Sequence, residues 1–286
     1  MTTAAFVSPR TLPEALALLA AGGWSVLAGG TDVYPAHVGR PITTPLLDIT
    51  RIAGLRGVCA EPQGWRIGAA TTWSDIVHAP LPPLFDALKA AARDVGGMQI
   101  QNTGTLAGNV CNASPAADGM PVLLALDAQV ELSNAGGQRC LPLHEFVLGS
   151  RKTARVPNEM VTALLIPKRN SAARSCFVKL GGRRYLVISI VMVGITLDVD
   201  AAGCISYAGV AVGSCSAVAQ RLPALEQRLL GLPLIAARDV PVAFITARDL
   251  GDLTPIDDIR ASAAYRRDAT ITLLQRALAS CAGDSA

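Results

Sequence analysis

Charge is scarce in this sequence. Asp, Glu, Lys and Arg make up 16% of 286 residues, below the quarter or so usual for soluble domains. Hydrophobic residues reach 51%. That balance leaves apolar surface to bury and fits a subunit with partner-covered faces, although an Ala-rich bias in composition would produce it as well. Net charge is +3, and no Lys/Arg cluster is interleaved with aromatics, so a nucleic-acid partner is not expected. The basic pairs Arg151-Lys152, Lys168-Arg169, Arg183-Arg184 and Arg266-Arg267 are short and read as solvated.

Other absences exclude particular chemistries. The three histidines, His37, His78 and His144, share no HxxxH or HExxH spacing, which argues against a zinc hydrolase. No GxSxG elbow presents a nucleophilic serine. Neither GxGxxG nor GxxxxGK[ST] occurs, so Rossmann and P-loop phosphate sites are not available. The seven cysteines are scattered and form no CxxC pair, as expected of reduced thiols. The start lacks a basic region followed by an apolar run. The most apolar stretch, residues 185–197, is broken by Ser189, Gly194 and Thr196 and is too short for a bilayer. A cytoplasmic protein without a membrane span is expected.

What is present centres on residues 99–118, QIQNTGTLAGNVCNASPAAD. Gly104 and Gly108 lack a Cβ, so the main chain there can turn with positive φ or lie against a ligand. Thr103, Thr105 and Asn109 add short hydrogen-bonding side chains, and exposed amides in such turns form anion-binding concavities. Taken alone, the stretch reads first as an ordinary Gly/Asn turn between strands. Residues 27–34, LAGGTDVY, repeat the pattern about 75 positions earlier, after a strand at 25–28. Two such loops facing each other across a cleft would suit the two ends of a pyrophosphate.

Local signals place both loops in an α+β chain. Thr11 and Pro13 start a helix with an apolar face of Leu12, Leu16 and Leu19, ended by Gly22-Gly23. A short helix at 33–38 and a strand at 46–49 complete a small α/β unit. A strand at 65–69 leads to a capping box, Thr72 and Asp75, opening a helix through Val77. Helices at 84–95 and 120–126, a strand at 129–132 and a hairpin turn at 134–137 follow. Residues 159–166 close the first region, with 168–175 as linker. Beyond it, strands at 176–180, 188–199 and 205–212 predict a three-stranded antiparallel sheet. Helical patterns at 222–230, 235–250 and 259–279 supply its covering layer.

The combination AGGTD, then QIxNxGTLAGNxCNASPAAD, then FVKLGGRR, resembles the flavoprotein, or medium, subunit of the molybdenum hydroxylases. That group contains bacterial xanthine dehydrogenases and aerobic carbon monoxide dehydrogenases, and the resemblance covers nearly the whole chain. It implies a two-subdomain PCMH-type FAD-binding domain over residues 1–168, split into about 1–56 and 57–168. A C-terminal domain of the CO dehydrogenase flavoprotein type, 175–286, would follow. FAD would lie between the N-terminal subdomains, with the C-terminal domain closing over part of the flavin. By motif position, Leu27, Ala28, Gly29, Gly30, Thr31, Asp32 and Val33 would carry one pyrophosphate loop, and Thr105, Ala107, Gly108 and Asn109 the other. Asp118, Val161 and Lys179 match further cofactor contacts. An ammonium at Lys179 near a reduced, anionic flavin would also raise its reduction potential.

On this resemblance no residue here is an acid–base catalyst. Substrate would be oxidised at molybdopterin in a large partner, electrons would cross [2Fe-2S] clusters in a small partner, and FAD would release them to an acceptor. A heterotrimer or a dimer of heterotrimers is expected, with no iron–sulfur insertion in this chain. Two departures stand out. Ala107 replaces the glycine of many relatives, and its methyl demands negative φ or extra room. Tyr185-Leu186-Val187-Ile188 lacks the acid that several relatives carry, which leaves the acceptor open. Two other readings use the same residues: a free-standing flavin oxidase, disfavoured because residues 175–286 offer no His or Tyr/Asp constellation, and a scaffold without FAD, disfavoured by the intact loops.

Overall fold

Alternation of short strands and Gly-terminated helices builds the N-terminal unit. In the computed structural model, which describes residues 4–238, 244–251 and 253–283, its sheet is parallel. Leu46–Asp48 lies between Phe6–Val7 and Ser25–Leu27. The helix Leu12–Ala21 starts where the Thr11 hydroxyl accepts from the Glu14 amide at 3.4 Å, and it stops at Gly22 and Gly23, both at positive φ.

The second unit is a five-stranded antiparallel sheet in the order Val58–Glu61, Gly64–Gly68, Met160–Pro167, Gln129–Asn134, Gly137–Pro142. The long excursion between Gly68 and Gln129 supplies its helices. Trp73–His78 opens with the expected capping box: Thr72 Oγ1 accepts from the Asp75 amide at 3.1 Å, and Asp75 Oδ2 from the Thr72 amide at 2.9 Å. The pattern at 84–95 resolves into a 3-10 turn, Pro83–Phe85, and the helix Asp86–Asp94. Residues 99–118, read as loop, are largely helical: Met98–Thr103 and Leu106–Asn112 flank Gly104, whose φ is −62°. Of the two uses open to Gly104 and Gly108, positive φ is not the one taken, and both line a cavity.

The C-terminal unit is an antiparallel sheet of Arg174–Leu180, Val191–Val199 and Ile205–Gly213, with a fourth, two-residue edge strand, Gln220–Arg221, beside the third. Its helices are Pro223–Leu229, Leu234–Arg238 and the long Ala263–Ala282. The pattern at 235–250 is met only in part, by Leu234–Arg238 and a 3-10 turn at Ala247–Leu250, since 239–243 lie outside the described residues. The last helix begins later than its apolar periodicity, because Ser262 caps it by accepting from the Tyr265 amide.

One helix joins the units. All seven residues of Gly119–Ala125 are buried, as expected of a helix apolar on every side. Glycine makes the approach possible: a Cβ at Gly194 would lie 2.7 Å from the Pro121 carbonyl oxygen, and one at Gly209 would overlap that of Ala125. Each fully buried Leu in this helix contributes roughly 1.5–3 kcal/mol.

In two of the basic pairs read as solvated, one member is not. Arg266 is 3% exposed and donates to the carbonyls of Ile190 and Ser214 and to Asp258 Oδ1. Arg169 stacks over the Tyr207 ring, 3.3 Å from its centroid. Burial of apolar surface is nonetheless incomplete, with Met98, Tyr185, Leu186, Ile188 and Ile259 exposed. Among the described residues no helix is long and apolar enough to cross a membrane.

Candidate functional site

The two Gly-Thr loops meet. A Cβ at Gly29 would overlap the Thr103 carbonyl oxygen, and Asn112 Nδ2 donates to Asp32 Oδ1 at 3.0 Å across the junction. Together they wall a cavity of about 590 Å³, within the size range of small-molecule and cofactor sites. All three units contribute to it: Ser25, Val26 and Ala28 to Val33 from the first, Trp73, Thr105 and Met160 from the second, Val187 and Ile188 from the third.

The first loop turns at Gly30, where φ is +71°, a value that glycine adopts without the steric cost of a side chain. Among the described residues the amides of Gly29, Gly30, Thr31 and Asp32 find no protein acceptor. Four successive donors without acceptors, on residues that line a cavity, are suited to a nest for an anion. The second loop is organised by its cap. Thr105 Oγ1 accepts from the Gly108 amide at 3.0 Å and so starts Leu106–Asn112, while a Cβ on Gly108 would stand 2.7 Å from that oxygen. Ala107 lies inside this helix and is buried, so helical φ accommodates its methyl. Asn109 lines the cavity, and its Oδ1 is buried with no hydrogen-bond partner.

Asp118 lines the far wall, held at both oxygens: Oδ2 accepts from Lys179 Nζ and Oδ1 from Ser189 Oγ, each at 2.8 Å. Burial pushes its carboxyl above the usual carboxylate range, against the pull of Lys179 and Ser189. Lys179 does not line the cavity. On the strand Arg174–Leu180, it lines a neighbouring cleft of about 400 Å³, bounded also by Arg183, Arg184 and Tyr185. Asp94 and Val187 form the shared wall of the two spaces.

Of the positions singled out in the sequence, Ala28, Gly29, Gly30, Thr31, Asp32, Val33, Thr105, Ala107, Gly108, Asn109, Asp118 and Val161 all line the cavity. Leu27 is a buried strand end whose carbonyl accepts from the Ile49 amide; it supports the wall without lining it. Arg151 and Arg155, given no role by the sequence, line the cavity. Arg151 has φ +56°, and its amide donates to the carbonyl of Ala113, itself at φ +48°. Only tertiary pairing of two left-handed residues brings that arginine to the site, and no local signal marks it. Asn112 stands inside the quoted motif but was given no role there, because the stretch reads as a turn and its helix, Leu106–Asn112, is seen only in the structure.

These features define one cavity lined by residues of all three units, with the two Gly-Thr loops in its wall. Residues 2–169 match the family described as the FAD binding domain in molybdopterin dehydrogenase, and residues 177–281 the CO dehydrogenase flavoprotein C-terminal domain. The chain belongs to this family of FAD-binding flavoprotein subunits, and thus to the oxidoreductases. It is 30% identical to the nicotinate dehydrogenase FAD-subunit of Eubacterium barkeri over 262 residues, 87% of this chain and 88% of that one. It is 30% identical to a putative xanthine dehydrogenase FAD-binding subunit of Escherichia coli over 280 residues, 96% and 94% of the two chains. Carbon monoxide dehydrogenase from Hydrogenophaga pseudoflava superimposes with a TM-score of 0.82 at 26% identity, covering 98% of this chain and 97% of that one. The resemblance and the α+β architecture expected from the sequence hold.

Proposed function

We propose that FAD occupies the 590 Å³ cavity and that the chain is the electron-transfer subunit of a molybdenum-containing hydroxylase or dehydrogenase. The observation that carries this reading is the amide nest of Gly29 to Asp32 facing the Thr105 loop inside one cavity. The residues fit the cofactor. The nest would hold the pyrophosphate, Thr105, Ala107 and Gly108 would close over it, and the unpartnered Asn109 Oδ1 would accept a hydrogen bond from a cofactor group or ordered water. Val161 would contribute apolar wall, and Asp118 a polar contact at the far end. In this reading residues 1–168 form the FAD-binding domain, in subdomains of about 1–56 and 57–168, and 175–286 the domain that covers the flavin.

When bound, FAD supplies reversible two-electron chemistry. The chain's own part is to bind, orient and screen. Trp73, Val95, Ile100 and Val187 line the cavity with apolar surface that would screen the bound cofactor from water, and the neutral Asp118–Lys179 pair keeps an uncompensated charge out of the wall. Electrons would enter from [2Fe-2S] clusters of a small partner that draws on a molybdopterin-containing large partner, and would leave to an external acceptor. Nicotinate, xanthine and carbon monoxide dehydrogenases among the relatives support an assembly of this type. A heterotrimer or a dimer of heterotrimers is the stoichiometry proposed.

Purification of the tagged chain from its native host, with analysis of flavin, iron and molybdenum, tests the reading. FAD accompanied by two further polypeptides carrying molybdenum and iron is the expected result. A lone chain that oxidises a small substrate would overturn it in favour of a free-standing oxidase, and a colourless chain that takes up no FAD would overturn it outright.

A further inference from the structure

Asp118 and Lys179 form a partition. Asp118 lines the inner cavity, Lys179 lines the outer cleft, the two are joined by a 2.8 Å ion pair, and Asp94 and Val187 line both spaces. Both side chains are buried, at 10% and 8% exposure. A buried pair of this kind is neutral while both members are ionised, and a new negative charge on one side of it is felt by the nearer member first. The nearer member on the cavity side is Asp118. Placing an anion beside a buried carboxylate favours its protonated form.

We propose that Asp118 takes up a proton when the flavin in the inner cavity is reduced and releases it on reoxidation, the proton coming from water in the outer cleft beside Lys179. The proposal rests on the FAD reading above. The balance is simple: two electrons from an external reductant go to the flavin, which takes its own proton or protons from water, and Asp118 binds one more. Oxidation returns the electrons to the acceptor and that proton to the cleft. The groups facing Asp118 are few. Lys179 on Arg174–Leu180 and the Ser189 hydroxyl before Val191–Val199 hold the carboxylate ionised, and Asp94, at the end of Asp86–Asp94, opposes it. Arg151 and Arg155 share the same cavity, as do the Cys111 thiol and Asp32 on the first loop.

The test is the pH dependence of the flavin midpoint potential in the FAD-loaded full chain, measured with mediator dyes between about pH 5 and 9. One extra proton per two electrons changes the equilibrium constant tenfold per pH unit, about 30 mV. Over the window where Asp118 titrates, the wild-type slope should exceed that of Asp118→Asn by up to this amount. Reduced-minus-oxidised infrared spectra should show a protonated carboxyl that the variant lacks. Ser189→Ala removes a hydrogen bond to the ionised form, so the window should move to higher pH; this variant decides the matter if Asp118→Asn loses its flavin. Parallel slopes, or a window that Ser189→Ala leaves in place, would overturn the proposal. Failure of the chain to load FAD at all would overturn the FAD reading first, and this proposal with it.

Discussion

The two Gly-Thr loops share letters and differ in physics. In the first, Gly29 is required by its neighbour and Gly30 by its own backbone: one would collide with the Thr103 carbonyl, the other sits at φ +71°. In the second, neither Gly104 nor Gly108 has positive φ. Gly104 clears the Ile100 carbonyl, and Gly108 makes room for the Thr105 cap. The first loop is thus an irregular nest held open by glycine, and the second a helix start held tight by it. A glycine in a binding motif is explained by what it would touch, and that answer changes from one loop to the next.

The sharpest way to break the comparison is Gly29→Ala. The obstacle is main chain, which cannot rotate aside, so the loops must part; flavin retained per mole of purified protein should fall more than about tenfold, the equivalent of some 1.4 kcal/mol. Gly30→Ala should be milder. Left-handed alanine costs roughly 1–2 kcal/mol, and the Tyr34 ring must also turn away; calorimetric titration with FAD should show an affinity loss of about tenfold. In the second loop Thr105→Val removes the cap, and the denaturant midpoint should reflect a loss of about 1 kcal/mol. Asn112→Ala, which cuts only the exposed tie to Asp32, should cost about 0.5 kcal/mol or less.

Acid supplies a control remote from both loops. Asp258 is held down to about 2 by the Arg260 amide and by the Arg260 and Arg266 guanidinium groups. A carboxyl depressed on folding stabilises fully above its unfolded value, about 3.9, and loses that contribution as pH falls through its folded one. The difference in melting temperature between wild type and Asp258→Asn should therefore shrink as pH drops from about 4 toward 2. If both loops instead responded alike to alanine, or if Asn112→Ala released flavin as fully as Gly29→Ala, the distinction between them would fail.

Much of this was legible because the signals are local. The Thr72–Asp75 capping box, the Thr11 start and the antiparallel rhythm after residue 175 depend on neighbours within a few positions, and the structure has each of them. Those parts depending on contacts between distant residues were not legible. Arg151 reads as half of a solvated basic pair, yet its backbone is paired with Ala113 at the cavity. Arg266 reads the same way and is buried beneath Ile190 and Ser214. Leu27 stands in the motif but supports the wall from behind. Lys179 reads as a free charge for the flavin, and its first partner is Asp118.

The sequence by itself determined the inventory: two Gly-Thr segments in the right order, an α+β chain of two rhythms, no metal or nucleophile motif, and a family resemblance that the comparisons support. These are one-dimensional facts, fixed by spacing and by the conformational needs of Gly, Pro and capping residues. Tertiary structure alone decided which amide groups are left without acceptors, which side of the Asp118–Lys179 pair faces the cavity, and which arginines reach it. Packing chooses among side chains of equal chemistry by where the backbone carries them, and the local sequence does not contain that choice.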